Sequence, residues 1–304
     1  MEGSEPSTPG LVSLTDLNVL LLTNKRSYVL GEPVFLRAVV ANRSPAHTFR
    51  LQGRWRAADD FEIRVARARG MPARYLGGEE SGRPATTMLL PPREVRVHRW
   101  TLCYEPANES GYLFDQPGEY TIECSARGFL VNNTLQDLRF SQAPIRIEVR
   151  EQTPEQKRVF ARIAKPEFAE DLQNIQDGRV RSDTATVWEQ LVRADPDSLW
   201  APYGRMLLAW REWQTGERDS KAVVQRLQAI LDEYPDFPLR DTVYYATAAG
   251  NDRLGEPLQA LEWLWRLRRE YPTSPHLRVD NVLFRKYLYR DGWEGAYVPW
   301  YLRQ

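Results

Sequence analysis

Histidine, cysteine and lysine are scarce in this chain, and each shortage removes a class of chemistry. Its 304 residues hold three histidines, His47, His98 and His276, scattered along the sequence. None forms the H-E-x-x-H pair that sets two imidazoles one helical turn apart on zinc. The two cysteines, Cys103 and Cys124, lack the paired spacing of a zinc site. G-x-S-x-G, the P-loop and G-x-G-x-x-G do not occur either. The glycines of "YLGGEESG" come without the lysine and the strand–helix context of a phosphate loop. Adjacent acids at Asp59-Asp60 and Glu79-Glu80 read as solvated loop residues. No catalytic residue, metal ligand or cofactor is assigned, and the expectation is a non-enzymatic protein.

An excess of one charge is missing too. Basic and acidic residues balance at 41 each, so there is no electrostatic footprint for nucleic acid. Seven arginines fall between Arg50 and Arg74, interrupted by Asp59, Asp60 and Glu62. They read as the water-facing side of two strands rather than as an anion site. Long apolar runs are absent: "LNVLLL" and "VFLRAVV" have strand length, far short of the ~20 residues of a membrane helix. The opening "MEGSEPSTPG" is polar and unlike a secretory leader, so export would imply a leader removed before this point. Arginine outnumbers lysine 36 to 5, which suits a GC-rich bacterial source.

What is present changes period near residue 153. Residues 1–10 read as a flexible segment. From 11 to 151 the chain offers short alternating runs between turns: "LNVLLLTN", "SYVL" and "VFLRAVVANRS" around Gly31-Glu32-Pro33, "FRLQGRW", "FEIRVARA", "EVRVHRWTLCYE", "GEYTIECSARGF" and "IRIEVRE". Seven or more such runs predict an antiparallel, immunoglobulin-like β-sandwich. In "DQPGEYTIEC", Tyr120 stands where such a sandwich places its corner tyrosine. Cys124 shares the inward phase of Tyr120 and Ile122, whereas Cys103 falls on the outward phase of "WTLCY". Opposite faces predict two free thiols, and a bulge would be needed to bring them into a bridge.

Residues 152–304 read as helices. "TPEQ" opens the first with Thr153 as N-cap, Pro154 at the first helical position and Gln156 completing a capping box. Pro196, Pro235 and Pro272 each follow an amphipathic helix at intervals of 39 and 37 residues. A helix pair repeating at that period predicts a short α-solenoid. In "EPLQALEWLWRLRREY", the stripe Leu258, Leu261, Leu264 and Trp265 is expected in the core, with Trp263 about 200° away from Trp265.

Two resemblances follow from these pieces. "QALEWLWRLRREYPTSP", with its A-x-x-x-L and Tyr-Pro cadence, resembles tetratricopeptide-type repeats, over roughly residues 184–290. "FEIRVARARGMPARYLGG", "LLPPREVRV" and "CYEPANESGYLFDQPGEYTIECSA" are similar to the β-sandwich module of secreted zinc endopeptidases of the deuterolysin and peptidyl-lysine type. That similarity implies an exported, periplasmic or extracellular setting and an accessory role. It implies no catalysis, because the H-E-x-x-H half is replaced by helices.

Eight of ten tryptophans lie after residue 151. Large rings are enriched at binding hot spots, so Trp263, Tyr244, Tyr245 and Trp293 are the candidate partner-binding residues. The expected function is an exported bacterial scaffold, monomeric, docking a protein or peptide on the helical repeats. The 70–92 loop is a second candidate contact. Alternatives are an inhibitor or accessory module of an exported peptidase system, and a carbohydrate-binding protein contacting a polysaccharide.

Overall fold

A computed structural model describes residues 16–53, 61–68, 70, 72–75, 86–105, 111–126, 129–131, 134–136, 144–175, 181, 183–215, 219–277 and 281–287. Its strands are β1 (Leu17–Thr23), β2 (Ser27–Val29), β3 (Val34–Asn42), β4 (Phe49–Gly53), β5 (Phe61–Arg67), β6 (Ala73–Tyr75), β7 (Thr86–Leu90), β8 (Val95–Leu102), β9 (Gly118–Ala126), β10 (Phe129–Val131), β11 (Thr134–Gln136) and β12 (Ile145–Arg150). The helices are α1 (Pro154–Phe160), α2 (Pro166–Gln173), α3 (Ala185–Ala194), α4 (Ala201–Thr215), α5 (Ser220–Glu233), α6 (Arg240–Arg253), α7 (Pro257–Glu270) and α8 (Val282–Tyr287).

The strands form three sheets, in the orders β1-β3-β8, β11-β10-β4-β7 and β2-β12-β9-β5-β6. The five-stranded sheet is mixed, because β2 runs parallel to β12 through Tyr28 opposite Val149. This corrects the expected antiparallel, immunoglobulin-like sandwich followed by a free-standing TPR-like solenoid. The cause is local. Gly31 has φ +81°, Glu32 accepts the amide of Val29 at 3.0 Å, and the turn sends β2 and β3 into different sheets instead of a hairpin. A β-carbon at Gly31 would lie 2.4 Å from the Phe160 ring. The turn is therefore also where the first helix rests on the strands.

The sheet β1-β3-β8 is covered on both faces. Leu36, Ala38, Val40, Trp100 and Leu102 share one core with Phe61, Ile63, Tyr120, Ile122, Ile147 and Val149. From the other side, Phe35 and Cys103 enter a second core made by Val159, Trp188, Trp200, Tyr203, Leu227, Val243 and Leu264. The helices thus spend one face on the sheet and cannot form a separate solenoid. Alternation along β3 and β8 holds, but the outward phase meets helices rather than water. Cys103 and Cys124 are both free and lie in different surroundings.

Residue-level signals act as the chemistry requires. Thr153 accepts from the Gln156 amide at 3.2 Å, and the Gln156 side chain accepts from the Thr153 amide at 2.9 Å. The Tyr120 hydroxyl donates to the Gln116 carbonyl at 2.8 Å and closes the turn before β9. Consecutive helices from α3 to α7 pack on one another. Close approach of α5 and α6 depends on Gly250, where a β-carbon would sit 2.3 Å from Val224.

Candidate functional site

The sheet–helix seam is polar at its centre. Arg37 on β3 and Arg99 on β8 are cross-strand partners on the face that meets the helices. Arg99 Nη1 donates to both carboxylate oxygens of Asp241, at 2.8 and 2.9 Å, and Nη2 donates to Thr242 Oγ1 at 2.6 Å. Both charged side chains are at most 5% exposed. Burial opposes ionisation of Asp241, but the charges of Arg99 and His276 outweigh it and hold the carboxyl down at about 2. Arg37 Nη1 donates to Thr273 Oγ1 at 3.1 Å in the connection between α7 and α8.

That connection is held from the helical side as well. His276 Nε2 lies 3.1 Å from Thr242 Oγ1, and its ring stacks on Tyr245 at 4.7 Å with 5° between planes. The Tyr245 hydroxyl donates to Asn281 Oδ1 at 3.3 Å, and the same oxygen accepts the Leu283 amide at 3.0 Å to start α8. Every group here has a structural partner. The arrangement orients elements and presents no nucleophile.

Tyr244 and Trp263 meet one turn of α6 away. Tyr244 is buried, with ring centroids 5.3 Å from Trp263 and 5.6 Å from Tyr271. Its hydroxyl donates to Glu270 Oε2 at 2.7 Å. Burial alone would raise the Glu270 carboxyl; the bonds from Tyr244 and Arg269 lower it. Arg240 and Arg266 lie over the Tyr244 and Trp263 rings, at 5.9 and 4.9 Å.

The expected phase of α7 is overturned. Ala260, Leu264 and Leu267 are buried, with half-buried Trp263 beside them at i, i+3, i+4 and i+7. Leu258 and Trp265, expected in the core, are 80% and 40% exposed. Two apolar stripes compete on this helix. The one carrying Ala260 faces inward because Tyr244 already fills the space that Trp263 completes, and an alanine lets the helices approach. Leu258, Glu262, Trp265 and Arg269 follow heptad spacing along the opposite face. Arg268 lies over the Trp265 ring at 5.7 Å. Leu254, in the turn before α7, is 37% exposed beside this stripe.

Of the four candidate binding residues, Tyr244, Tyr245 and Trp263 sit within the packing just described. Trp293 lies outside the described residues, as do Asp59-Asp60, Glu79-Glu80 and most of the central part of the 70–92 loop. Sequence reading missed Arg37, Arg99, Asp241 and Thr242. Their signal was an arginine on the outward phase of two otherwise apolar strands, which makes sense only if that face is covered.

Other sites offer less chemistry. Among the described residues no group of three or more His, Cys, Asp or Glu could hold a metal ion. Burial pushes both thiols up to about 12, so neither is a thiolate near neutral pH. A cleft of about 460 Å³ is lined by Arg67, Ala68, Gly70, Gly118 and Glu119, and Arg67 Nη2 is already committed to the Pro117 carbonyl at 3.0 Å. Among the described residues no helix is long and apolar enough to cross a membrane.

No protein family model matches this chain, and no curated protein does either. Among solved structures, an alkylpurine DNA glycosylase AlkC of Pseudomonas fluorescens bound to abasic-site DNA aligns at 13% identity and TM-score 0.25, over 44% of this chain and 30% of that one. A β-glucosidase of Listeria innocua in complex with glucose aligns at 13% identity and TM-score 0.24, over 44% of this chain and 16% of that one. The sporulation control protein Spo0M of Bacillus subtilis aligns at 15% identity and TM-score 0.23, over 49% and 54%. The chain spans less than two thirds of each, and similarities this weak carry neither fold nor function.

Proposed function

We propose that this is a non-enzymatic bacterial binding protein that docks a protein partner on the outward stripe of α7. The carrying observation is an apolar pair, Leu258 and Trp265, held on the solvent side of a helix whose other face is fully used. Exposed apolar residues clustered on one rigid face mark interaction surfaces. Aromatic and arginine side chains together are the composition of hot spots. Rigidity comes from Trp263 against Tyr244, so the stripe is presented without an ordering cost on binding. An exported setting rests on the resemblance of the strand segments to secreted peptidase modules. A sugar-binding reading gains little, since Trp265 is the single tryptophan among the exposed large hydrophobics of the described residues.

Photo-crosslinking from position 258 tests the reading, with position 189 on α3 as control. Adducts at 258 that Trp265→Ala reduces by about tenfold are expected, as for loss of one hot-spot residue. Adducts equally frequent at 189, or unaffected by Trp265→Ala, would exclude this stripe.

A further inference from the structure

The outward stripe of α7 is complementary to itself. Its N-terminal end carries the exposed residues Glu256 and Leu258, and its C-terminal end carries Trp265, Arg268 and Arg269. Glu256 is the N-cap residue yet makes no side-chain capping bond, which leaves its carboxylate to project from the helix end. Two such helices laid antiparallel bring the acidic end of one to the basic end of the other, and their dipoles oppose favourably.

Register follows from the apolar pair. Leu258 and Trp265 are seven residues, or about 10 Å, apart on one face. Setting Leu258 of each copy against Trp265 of the other places the two-fold axis between residues 261 and 262. Arg268 and Arg269 then lie opposite residues 255 and 254 of the second copy, within reach of its Glu256 and with their stems over its Leu254. Glu262 approaches the axis, and Arg266 of its own chain, 2.6 Å away, offsets the meeting of two carboxylates there. A two-fold interface requires one patch to satisfy itself in this way.

We infer that the partner docked on this stripe is a second copy of this chain, joined through antiparallel α7 helices. The inference rests on the docking reading above and names its occupant. It differs from the monomer expected from sequence.

Sedimentation velocity of the full chain across a hundredfold concentration range should show a monomer–dimer equilibrium. Leu258→Asp, at a position 80% exposed and so harmless to folding, should weaken dimerisation at least tenfold. Charge exchange makes the decisive case. Glu256→Lys should not self-associate, nor should the double variant Arg268→Glu/Arg269→Glu, while an equimolar mixture of the two should form a heterodimer. Circular dichroism of each variant guards against misfolding; if the double variant unfolds, Arg268→Glu alone takes its place in the mixture. A wild-type monomer at every concentration overturns self-pairing, as does a dimer indifferent to Leu258→Asp or a mixture that stays monomeric. If position 258 nevertheless crosslinks to a different protein, docking survives and only its occupant changes. If it crosslinks to nothing, both fall.

Discussion

At the scale of single residues, the Arg99–Asp241 pair shows why a buried ion pair is better described by the cost of breaking it. Each charge has left water, and each relies on the other. Arg99→Ala, which strands Asp241, should destabilise the protein by about 3–5 kcal/mol. Replacing both by apolar residues of similar size should cost less than that single change. Equilibrium urea unfolding of the two variants checks the order, and equal losses would mean the pair does not act as a unit. The pH dependence has a definite sign. Asp241 is depressed to about 2 from its usual 3.8, so its contribution is present above pH 4 and disappears as pH falls toward 2. The shift corresponds to about 2 kcal/mol. Asp241→Asn should flatten the stability profile between pH 4 and 2 by about that amount.

At the scale of elements, α7 shows how two apolar stripes on one helix are distinguished by their neighbour. Leu258, Leu261 and Trp265 are more hydrophobic than a stripe containing an alanine, yet the alanine stripe is buried. Packing against α6 rewards fit: Trp263 closes on Tyr244, and Ala260 occupies a close contact that a larger residue would force open. The tryptophan substitutions should therefore differ in the order opposite to that expected from hydrophobicity. Trp263→Ala should cost about 2 kcal/mol, since half its ring is buried, and Trp265→Ala under about 1 kcal/mol. Thermal unfolding of the pair decides it. A larger loss for Trp265→Ala would place the wrong face inward.

At the scale of the whole molecule, the central sheet is shared property. Phe35, Cys103, Arg37 and Arg99 all face the helices, and Trp200 Nε1 donates to the Gly31 carbonyl at 3.2 Å across the same seam. A fragment of residues 11–151 would expose that apolar face together with two arginines deprived of their helical partners. Expressed alone, it should aggregate or give poorly dispersed amide resonances, whereas the full chain stays folded. A well-dispersed spectrum from the fragment would show that the strands need no cover.

Local decisions in this protein were legible from residue order. The capping box at Thr153, the turn at Gly31, the corner hydrogen bond of Tyr120 and the inward phase of Cys124 depend on neighbours within a few positions. So do the alternating strands and the helices ended by Pro196, Pro235 and Pro272. Partnership was decided elsewhere. The parallel pairing of β2 with β12 joins Tyr28 to Val149, and the ion pair joins Arg99 to Asp241. Both contacts close long loops, and alternation reports only which residues share a face, not what covers it. The same limit explains α7: periodicity showed two faces, and only the arrival of Tyr244 from α6 chose between them.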